Sequence, residues 1–211
     1  MPPPTLPQHQ IPGIFLSTPL TKYLLSQEDA DKDKNKQPPY KIHTTAATSS
    51  KIPNPFFNIT ARSPPIPPSP INPNPTSQPA PPAILLTLFL SRPLPKPSAH
   101  LLLHVGTGVT GQNAIAHGGF LATCLDEVCG NLISAEGVDG GLGMFTVQLD
   151  VKYQAPVFID EGAGSVIVAS AEVERVEGRK VFVEACVRDK DGVICTRGEA
   201  VFVKKKGQAA L

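Results

Sequence analysis

The sequence lacks the long apolar runs and the leader segments that mark membrane and secreted proteins. No uninterrupted apolar run reaches about 18 residues, so no transmembrane helix is predicted. The amino terminus has no charged start followed by an apolar core, and a secretory signal is therefore not predicted. We expect a cytoplasmic protein in a reducing compartment, with a mitochondrial location as the alternative.

Several chemical motifs are also missing. The four cysteines form no Cys-x-x-Cys pair, so neither a zinc site nor a disulfide framework is suggested. No metal-ligating cluster is evident, and neither a metal nor a cofactor is predicted. Gly-x-Ser-x-Gly is absent, which argues against the nucleophile elbow of an α/β-hydrolase.

The charge is near neutral overall, but its two halves differ. Residues 1–98 contain 9 Lys and Arg against 4 Asp and Glu, whereas the remainder contains 10 against 14. Neither imbalance is strong, and no basic stripe with interleaved aromatic residues is present. The composition therefore does not predict a nucleic-acid partner.

Proline and glycine divide the chain into two parts. Of the 24 prolines, 23 lie at or before Pro97, while 16 of the 17 glycines lie at or after Gly106. We expect residues 1–82 to be a proline-rich, mostly disordered region and residues 83–204 to be a folded domain, followed by a disordered tail at 205–211.

Within the proline-rich region two features stand out. Thr21–Ser26 is compatible with one or two helical turns. Residues 63–82 are too dense in proline for a helix or a central strand. This second segment is either a solvated spacer or a polyproline II ligand for a proline-reading domain.

The folded part shows strand patterns on both sides of one helical pattern. A helix of about 16 residues against six strands, mainly antiparallel, is an α+β layer, with the helix across one face of the sheet. The exposed sheet edge and helix flank favour a homodimer, or a tetramer built from it. The predicted elements are strands at Ala83–Leu90 and His100–Val105, a helix at Gly119–Ser134, and strands at Met144–Tyr153, Gly164–Val176, Lys180–Arg188 and Val193–Val203.

A glycine motif precedes the helix. Gly106–Gly111 matches Gly-x-Gly-x-x-Gly, the dinucleotide-binding pattern. That pattern needs a helix opening directly on its third glycine, within a strand-helix-strand unit. Here the chain continues into another glycine pair, and no such unit follows, so we do not predict nucleotide binding.

The central feature of the chain is the stretch Ala116–Gly130, a glycine turn feeding the helix. Its apolar residues recur at helical spacing, whereas a second stripe of small residues carries one carboxylate, Asp126. Gly118 and Gly119 leave backbone N–H groups uncovered at the helix start. A carboxylate two turns from such an anion site suits acyl-transfer chemistry, although a tight turn followed by a solvated helix face is the structural alternative.

The residues of the domain, taken together and in order, resemble the hotdog-fold acyl-CoA thioesterases, in particular the PaaI-like branch and the thioesterase superfamily member proteins. The resemblance covers about residues 83–204 and implies a hotdog fold with paired subunits whose sheets join side by side. The matching pieces are His117-Gly118-Gly119, Asp126 nine residues after the histidine, the strand Thr146–Pro156 and the hairpin Val176–Lys180.

The resemblance implies hydrolysis of acyl-CoA to free acid and CoA. The Gly118 N–H would hold the thioester carbonyl oxygen, and Asp126 would act as general base for water or as a nucleophile forming a transient anhydride. Thr146 matches a position that the partner subunit supplies in the family to orient the water. His117 matches a loop histidine with a mainly structural role.

The resemblance also suggests substrate-binding residues. Gly119 belongs to the same helix start, and Arg179 and Lys180 lie where the family often contacts CoA phosphates, although the hairpin alone reads as a solvated turn. Many relatives carry a polar residue six positions before the histidine, where this chain has Gly111. Gln112 or Asn113 is the candidate substitute for it.

Two other functions remain open from the sequence. The same fold could bind acyl-CoA without turning it over, which the Gly111 departure favours. A dehydratase or hydratase of the same fold is a third hypothesis, although no His and Asp pair is evident for it. The helix neighbour Glu127 lies about 100° around the helix from Asp126 and is expected to face away from the site.

Overall fold

The sheet of this protein is antiparallel throughout and carries one long helix on a single face. The computed structural model describes residues 13–26, 41–43, 84–93 and 95–206. Its helices are α1 (Pro19–Ser26) and α2 (Gly118–Ala135). Its strands are β1 (Lys41–His43), β2 (Ile84–Arg92), β3 (Ser98–Val105), β4 (Thr110–Gln112), β5 (Ile115–Ala116), β6 (Met144–Tyr153), β7 (Ser165–Glu177), β8 (Lys180–Arg188) and β9 (Ile194–Lys204).

The main sheet has the strand order β1-β2-β3-β7-β8-β9-β6, and β4 and β5 form a separate hairpin. The helix α2 packs across β3, β6, β7, β8 and β9. A long helix held against an antiparallel sheet is the hotdog fold, which confirms the predicted architecture. The six predicted strands are all present, and the short strand β1 adds a seventh at the β2 edge.

The element boundaries agree closely with the sequence pattern. The strands β6 and β8 have the predicted limits, and α2 is one residue longer at each end than expected. The two predicted hairpin turns contain Gly178 at φ +57° and Gly192 at φ +85°. Both angles lie in the left-handed region, which glycine adopts without a steric penalty, so these glycines hold β7–β8 and β8–β9 in register.

The apolar face of α2 forms the centre of the core. The residues predicted to point inward are all buried against the sheet, and two more helix residues join them. Burial of apolar side chains stabilises the folded state, so the helix turns its apolar stripe towards the sheet. The helical periodicity of the sequence therefore predicts which helix residues belong to the core. These helix residues are Leu121, Cys124, Leu125, Val128, Cys129, Leu132 and Ile133.

A smaller apolar cluster lies on the opposite, outer face of the sheet. There Phe15, from the 3-10 turn Gly13–Leu16, and Leu24 of α1 pack on side chains of β2, β3 and β7. The helical turns predicted at Thr21–Ser26 are thus present within α1. Most of the proline-rich region, including residues 44–82, lies outside the described residues, as does the end of the tail, and the proposed domain division stays a prediction.

The strand β6 departs from the alternation of a regular strand. Strict alternation would place Phe145, Leu149 and Tyr153 on a single face. Instead the register shifts between Thr146 and Gln148, with Thr146 opposite Phe202 and Gln148 opposite Val201. This β-bulge turns Thr146 towards the side of the buried Phe202 and of α2, and it leaves Phe145 on the outer face.

A partly buried histidine on the outer face gives the fold a predicted acid sensitivity. The Nδ1 of His100 lies 2.8 Å from Ser170 Oγ. Burial, with Arg92 and Arg188 nearby, lowers the pKa of His100 from 6.5 to about 3. In this pH window the unfolded chain binds a proton that the folded chain does not, so the free energy of unfolding falls as the pH drops from about 6.5 towards 3.

We expect His100→Gln to remove that part of the pH dependence. One group titrating only in the unfolded state contributes a slope of about 1.4 kcal/mol per pH unit. Urea unfolding at several pH values, compared with the control His104→Gln at a position bonded to Ala163 O, measures it. An unchanged slope in His100→Gln would contradict the assignment.

Candidate active site

The start of α2 is organised by its capping histidine. His117 has an extended backbone, and its Nδ1 accepts a hydrogen bond from the Gly119 N–H at 2.9 Å. Its own N–H donates to Val109 O at 2.8 Å, and its carbonyl accepts from Leu121 N at 3.2 Å. A side chain that satisfies one of the unpaired N–H groups of a helix start stabilises it, so the geometry gives His117 a structural role.

Two glycines make room for the imidazole of His117. A Cβ at Gly111 would lie 2.9 Å from His117 Cδ2, and a Cβ at Gly119 would lie 3.0 Å from both Cε1 and Nδ1. The imidazole ring therefore packs directly against the backbone of Gly111 and of Gly119. A larger residue at position 111 would therefore displace the histidine cap.

Gly111→Ala is accordingly expected to destabilise the start of α2. The new methyl group must push the His117 ring away, and loss of a helix cap typically costs about 1 kcal/mol. Chemical denaturation measures the change. Gly162→Ala is the matched control, since a Cβ there meets only Asp160 Oδ1 at an ordinary 3.5 Å. Equal stability of the two variants would show that the ring is not held by Gly111.

The first residue of the helix, Gly118, contacts Tyr153, which was not among the predicted site residues. The Tyr153 hydroxyl donates a hydrogen bond to Gly118 O at 2.8 Å. A Cβ at Gly118 would lie 3.2 Å from Tyr153 Cζ. Within the described part of the chain the Gly118 N–H has no hydrogen-bond acceptor. Such a donor at a helix N-terminus can receive a developing negative charge.

The carboxylate of Asp126 forms a hydrogen bond with Thr146, because the bulge in β6 turns the Thr146 side chain towards α2. The Thr146 Oγ1 donates to Asp126 Oδ1 at 2.8 Å. This contact joins two residues of the same chain, whereas the resemblance implied a threonine from the partner. Asp126 and Thr146 line a shallow pocket whose other walls are Ala122, Thr123, Glu127 and Leu149.

Glu127 was expected to face away from this pocket, and the structure corrects that expectation. Its side chain is half-buried in the pocket wall beside Asp126. Burial, followed by the charge of Asp126, raises the pKa of Glu127 from 4.5 to about 7. Helical periodicity alone does not predict the partial burial of Glu127. This residue lies about 100° around the helix from Asp126, and β6 is the element that covers that side of the helix.

Helix geometry separates the two groups predicted to do the chemistry. Gly118 and Asp126 are eight residues apart on α2, which corresponds to about 12 Å along the axis. A single carbonyl carbon cannot reach both within one chain. The structure thus brings Asp126 together with Thr146, but it does not bring Asp126 together with the helix start of the same chain.

Gln112 and Asn113 lie on the β4–β5 hairpin directly before His117. Asn113 and Ala114 occupy the turn with φ of +27° and +60°, which non-glycine residues rarely adopt. The Ala114 carbonyl accepts a hydrogen bond from Ile159 N at 2.7 Å, which ties the turn to the chain after β6. The hairpin is therefore fixed beside the helix start, and a role of Gln112 or Asn113 in substrate binding stays a prediction.

Arg179 and Lys180 lie in the β7–β8 hairpin, away from the helix start. The Arg179 Nε donates to Lys204 O at 2.9 Å. Lys180 is opposite Val203, whose other neighbour is Phe145 of β6, and Lys205 Nζ lies 5.0 Å from the Phe145 ring centroid. We call Arg179, Lys180, Lys204 and Lys205 the basic rim. It lies at the end of the sheet from which Thr146 projects.

Three further observations concern the cysteines, metal binding and membrane spans. All four cysteines are buried free thiols. Among the residues that the structure describes, no group of three His, Cys, Asp or Glu side chains is placed to hold a metal ion. No helix within those ranges is both long and apolar enough to cross a membrane.

Comparison with known proteins shows what the region that carries these residues is similar to. The family model of the thioesterase superfamily matches residues 113–196. Acyl-coenzyme A thioesterase THEM4 of Xenopus laevis is 33% identical over 104 residues, which are 49% of this chain and 43% of that protein. The rat THEM4 protein is 29% identical over 104 residues, covering 49% of this chain and 41% of that one.

The chain therefore spans about two fifths of the length of these curated relatives. Among solved structures, the PaaI protein of Escherichia coli from the phenylacetic acid degradation operon aligns with a TM-score of 0.46 and 15% identity, over 52% of this chain and 74% of that one. The matched region begins at Asn113 and includes the capped helix start, Asp126, Thr146 and Tyr153. This confirms the resemblance seen in the sequence, since residues 113–196 match the thioesterase superfamily.

Proposed function

We propose that this protein hydrolyses acyl-CoA thioesters to a free acid and CoA. The observation that carries the proposal is the hydrogen bond from Thr146 Oγ1 to Asp126 Oδ1 in an open pocket. That bond orients the carboxylate and leaves Oδ2 with no hydrogen-bond donor among the described residues. An oriented carboxylate with one free oxygen is a suitable base for a water molecule.

The reaction then proceeds by addition and elimination. Asp126 Oδ2 takes a proton from water as the water oxygen bonds to the thioester carbon, and the carbonyl oxygen becomes negatively charged. The tetrahedral species collapses by breaking the C–S bond, and the CoA thiolate receives the proton. Direct attack by Asp126 with a transient anhydride is the alternative course, and it uses the same carboxylate.

The negative oxygen is stabilised by the N–H of Gly118. Because Gly118 and Asp126 of one chain are about 12 Å apart, the two groups must come from different copies of the protein. In a two-fold dimer with neighbouring α2 helices antiparallel, Gly118 of one copy approaches Asp126 of the other. Thr123, which lies beside Asp126 in the wall of the open pocket, has a small side chain that permits that approach.

The edge of the sheet at β6 supplies the rest of the proposed dimer interface. β6 pairs with β9 on one side only, so its other edge has no strand partner within the described sheet. Three large apolar side chains on it, Phe145, Val147 and Tyr153, are 61%, 58% and 53% exposed. Exposed apolar side chains on an open edge favour association with a second strand.

The basic rim is the proposed site for the phosphates of CoA. Its cations are on the exposed end of the sheet, and no carboxylate forms an ion pair with them within the described chain. Phosphate groups bind well to such clusters of Arg and Lys. The curated relatives are named acyl-coenzyme A thioesterases, which supports the same choice of substrate. Four free thiols fit the cytoplasmic location that we propose.

A binding module for acyl-CoA is the second candidate function. It is favoured by Gly111, since the His117 ring occupies the space that a polar side chain would need there. Loss of one oxyanion donor in other enzymes lowers the rate by about 10²–10³. A chain that binds acyl-CoA but turns it over slowly is thus chemically reasonable.

Thiol release from a panel of acyl-CoAs, from short to long and including aryl esters, distinguishes the two functions. Hydrolysis of at least one ester, saturating with substrate concentration, would support the enzyme. Tight binding of these esters by calorimetry without thiol release would support the binding module. Failure of both would exclude acyl-CoA as the ligand.

A further inference from the structure

Glu127 is a carboxyl group that the proposed reaction does not use, although it lines the same pocket as the proposed base. Asp126 is the preceding residue of α2, and both contribute to the pocket wall. No described residue forms a hydrogen bond or an ion pair with Glu127. A half-buried carboxyl group without a cation is costly to keep ionised, so its position there needs an explanation.

We propose that Glu127 is a positioning residue of the site, whose charge state sets the basicity of Asp126. The inference rests on the proposed hydrolytic function. When Glu127 is ionised, a second negative charge in the pocket strengthens the hold of Asp126 on the proton that it takes from water. When Glu127 is protonated, that charge is absent and Asp126 is a weaker base.

The surroundings of Glu127 contain few other groups that could produce this effect. Thr123 and Ala122 of α2 and Thr146 and Leu149 of β6 complete the pocket, and none of them ionises near neutral pH. Cys124 lies behind Glu127 in the core, where burial and then the charge of Glu127 raise the pKa of its thiol, which therefore stays neutral. Asp126 and Glu127 are thus the only ionisable groups among the described residues that line the pocket.

The carboxyl group of Glu127 should titrate in the physiological range. The pKa of Glu127 is about 7, mainly because of burial and secondly because of Asp126. Ionisation of Glu127 in the folded protein then occurs as the pH rises through neutrality. Hydrolysis is expected to accelerate over the same interval, by at most about tenfold for an interaction of one pKa unit, because the rate of general-base catalysis follows only part of a change in basicity.

The kinetic test compares wild type with Glu127→Gln, which keeps the size of the side chain but carries no charge. Measured as kcat/KM between about pH 5.5 and pH 9, the wild-type rate should rise through pH 7, and the variant should lack this rise. Glu174→Gln is the matched control, because Glu174 is exposed on β7 and pairs with Arg175. A variant that retains the wild-type inflection would overturn the proposal.

A second measurement does not depend on activity and separates this inference from the proposed function. Isotope-edited NMR of the glutamate carboxyl carbons follows Glu127, assigned by its absence in Glu127→Gln. We expect a midpoint near neutrality in the wild type and a lower midpoint in Asp126→Asn. A midpoint that Asp126→Asn does not change would refute the coupling, whether or not the protein hydrolyses acyl-CoA.

Protein stability offers a third, independent readout. The raised pKa of Glu127 means that the folded state holds a proton that the unfolded chain releases above about pH 4.5. The contribution of Glu127 to stability therefore declines as the pH rises from about 4.5 to 7. Glu127→Gln should melt at a higher temperature than wild type at pH 8 and lose this advantage in acid. Identical pH profiles of melting would contradict the burial of an unpaired carboxyl group.

Discussion

Asp126→Asn is expected to abolish thioester hydrolysis while leaving the fold intact. Asparagine has the size of aspartate and still accepts the hydrogen bond from Thr146 at its carbonyl oxygen, but it cannot take a proton from water. Loss of a general base typically lowers the rate by about 10²–10⁴. The measurement is thiol release under saturating acyl-CoA, with thermal melting to verify that the variant is folded.

Asp150→Asn is the matched control for this experiment. Asp150 is on the same strand as Thr146, but it is exposed and accepts a hydrogen bond from Gln148 Nε2 at 2.6 Å. Opposite Glu199 on β9, it lies on the outer face of the sheet, away from α2. The control should retain wild-type turnover. Full turnover by Asp126→Asn would show that the carboxylate is not the base.

The second large effect is expected from Gly118→Pro compared with Gly118→Ala. Proline is well tolerated at the first position of a helix, and the extended backbone of His117 suits a following proline. Both variants add a Cβ against Tyr153, but only proline removes the N–H. If that N–H stabilises the oxyanion, the proline variant should be about 10²–10³ slower than the alanine variant. Equal rates would exclude the N–H of Gly118 from catalysis.

Mixing two inactive variants tests whether the site is shared between copies. A dimer of one Asp126→Asn chain and one Gly118→Pro chain contains one site with both groups intact, if Gly118 and Asp126 act across the interface. Random re-pairing of equal amounts should therefore restore about a quarter of the wild-type activity. If both groups acted within one chain, no mixed dimer would have an intact site and no activity would return.

The helix α2 and the six long strands were predictable because each of them carries a strong local signal, whereas the short strands β1, β4 and β5 were not predicted. The inward face of α2, from Leu121 to Leu132, follows the helical period without interruption, and all of its apolar residues are buried. The hairpins at Gly178 and Gly192 have the turn residues that their positive φ angles require. The positions of the glycines and the spacing of the apolar residues are local features of the sequence, so the turns and buried faces that depend on them can be predicted without the tertiary structure.

The site was predictable only in part. The order and spacing of His117, Gly118 and Asp126 were enough to propose them as site residues, whereas the contact of Thr146 with Asp126 needs the bulge in β6. The sequence pattern of β6 does not indicate that Val147 is an extra residue in the strand. The bulge depends on how β6 pairs with β9, and that pairing cannot be deduced from the sequence of β6 alone. The resemblance suggested the role of Thr146, but it did not suggest a partner in the same chain.

The sequence by itself determined the helix, the strands, the core face and the residues at the helix start, since these depend on local periodicity and on glycine. Only the tertiary structure decided that the ring of His117 lies between Gly111 and Gly119, that Tyr153 bonds to Gly118, and that Glu127 shares the pocket of Asp126. These contacts join residues that are distant along the chain or whose environment is set by another element. Packing of β6 and of the β4–β5 hairpin against α2 creates them, and no local pattern encodes that packing.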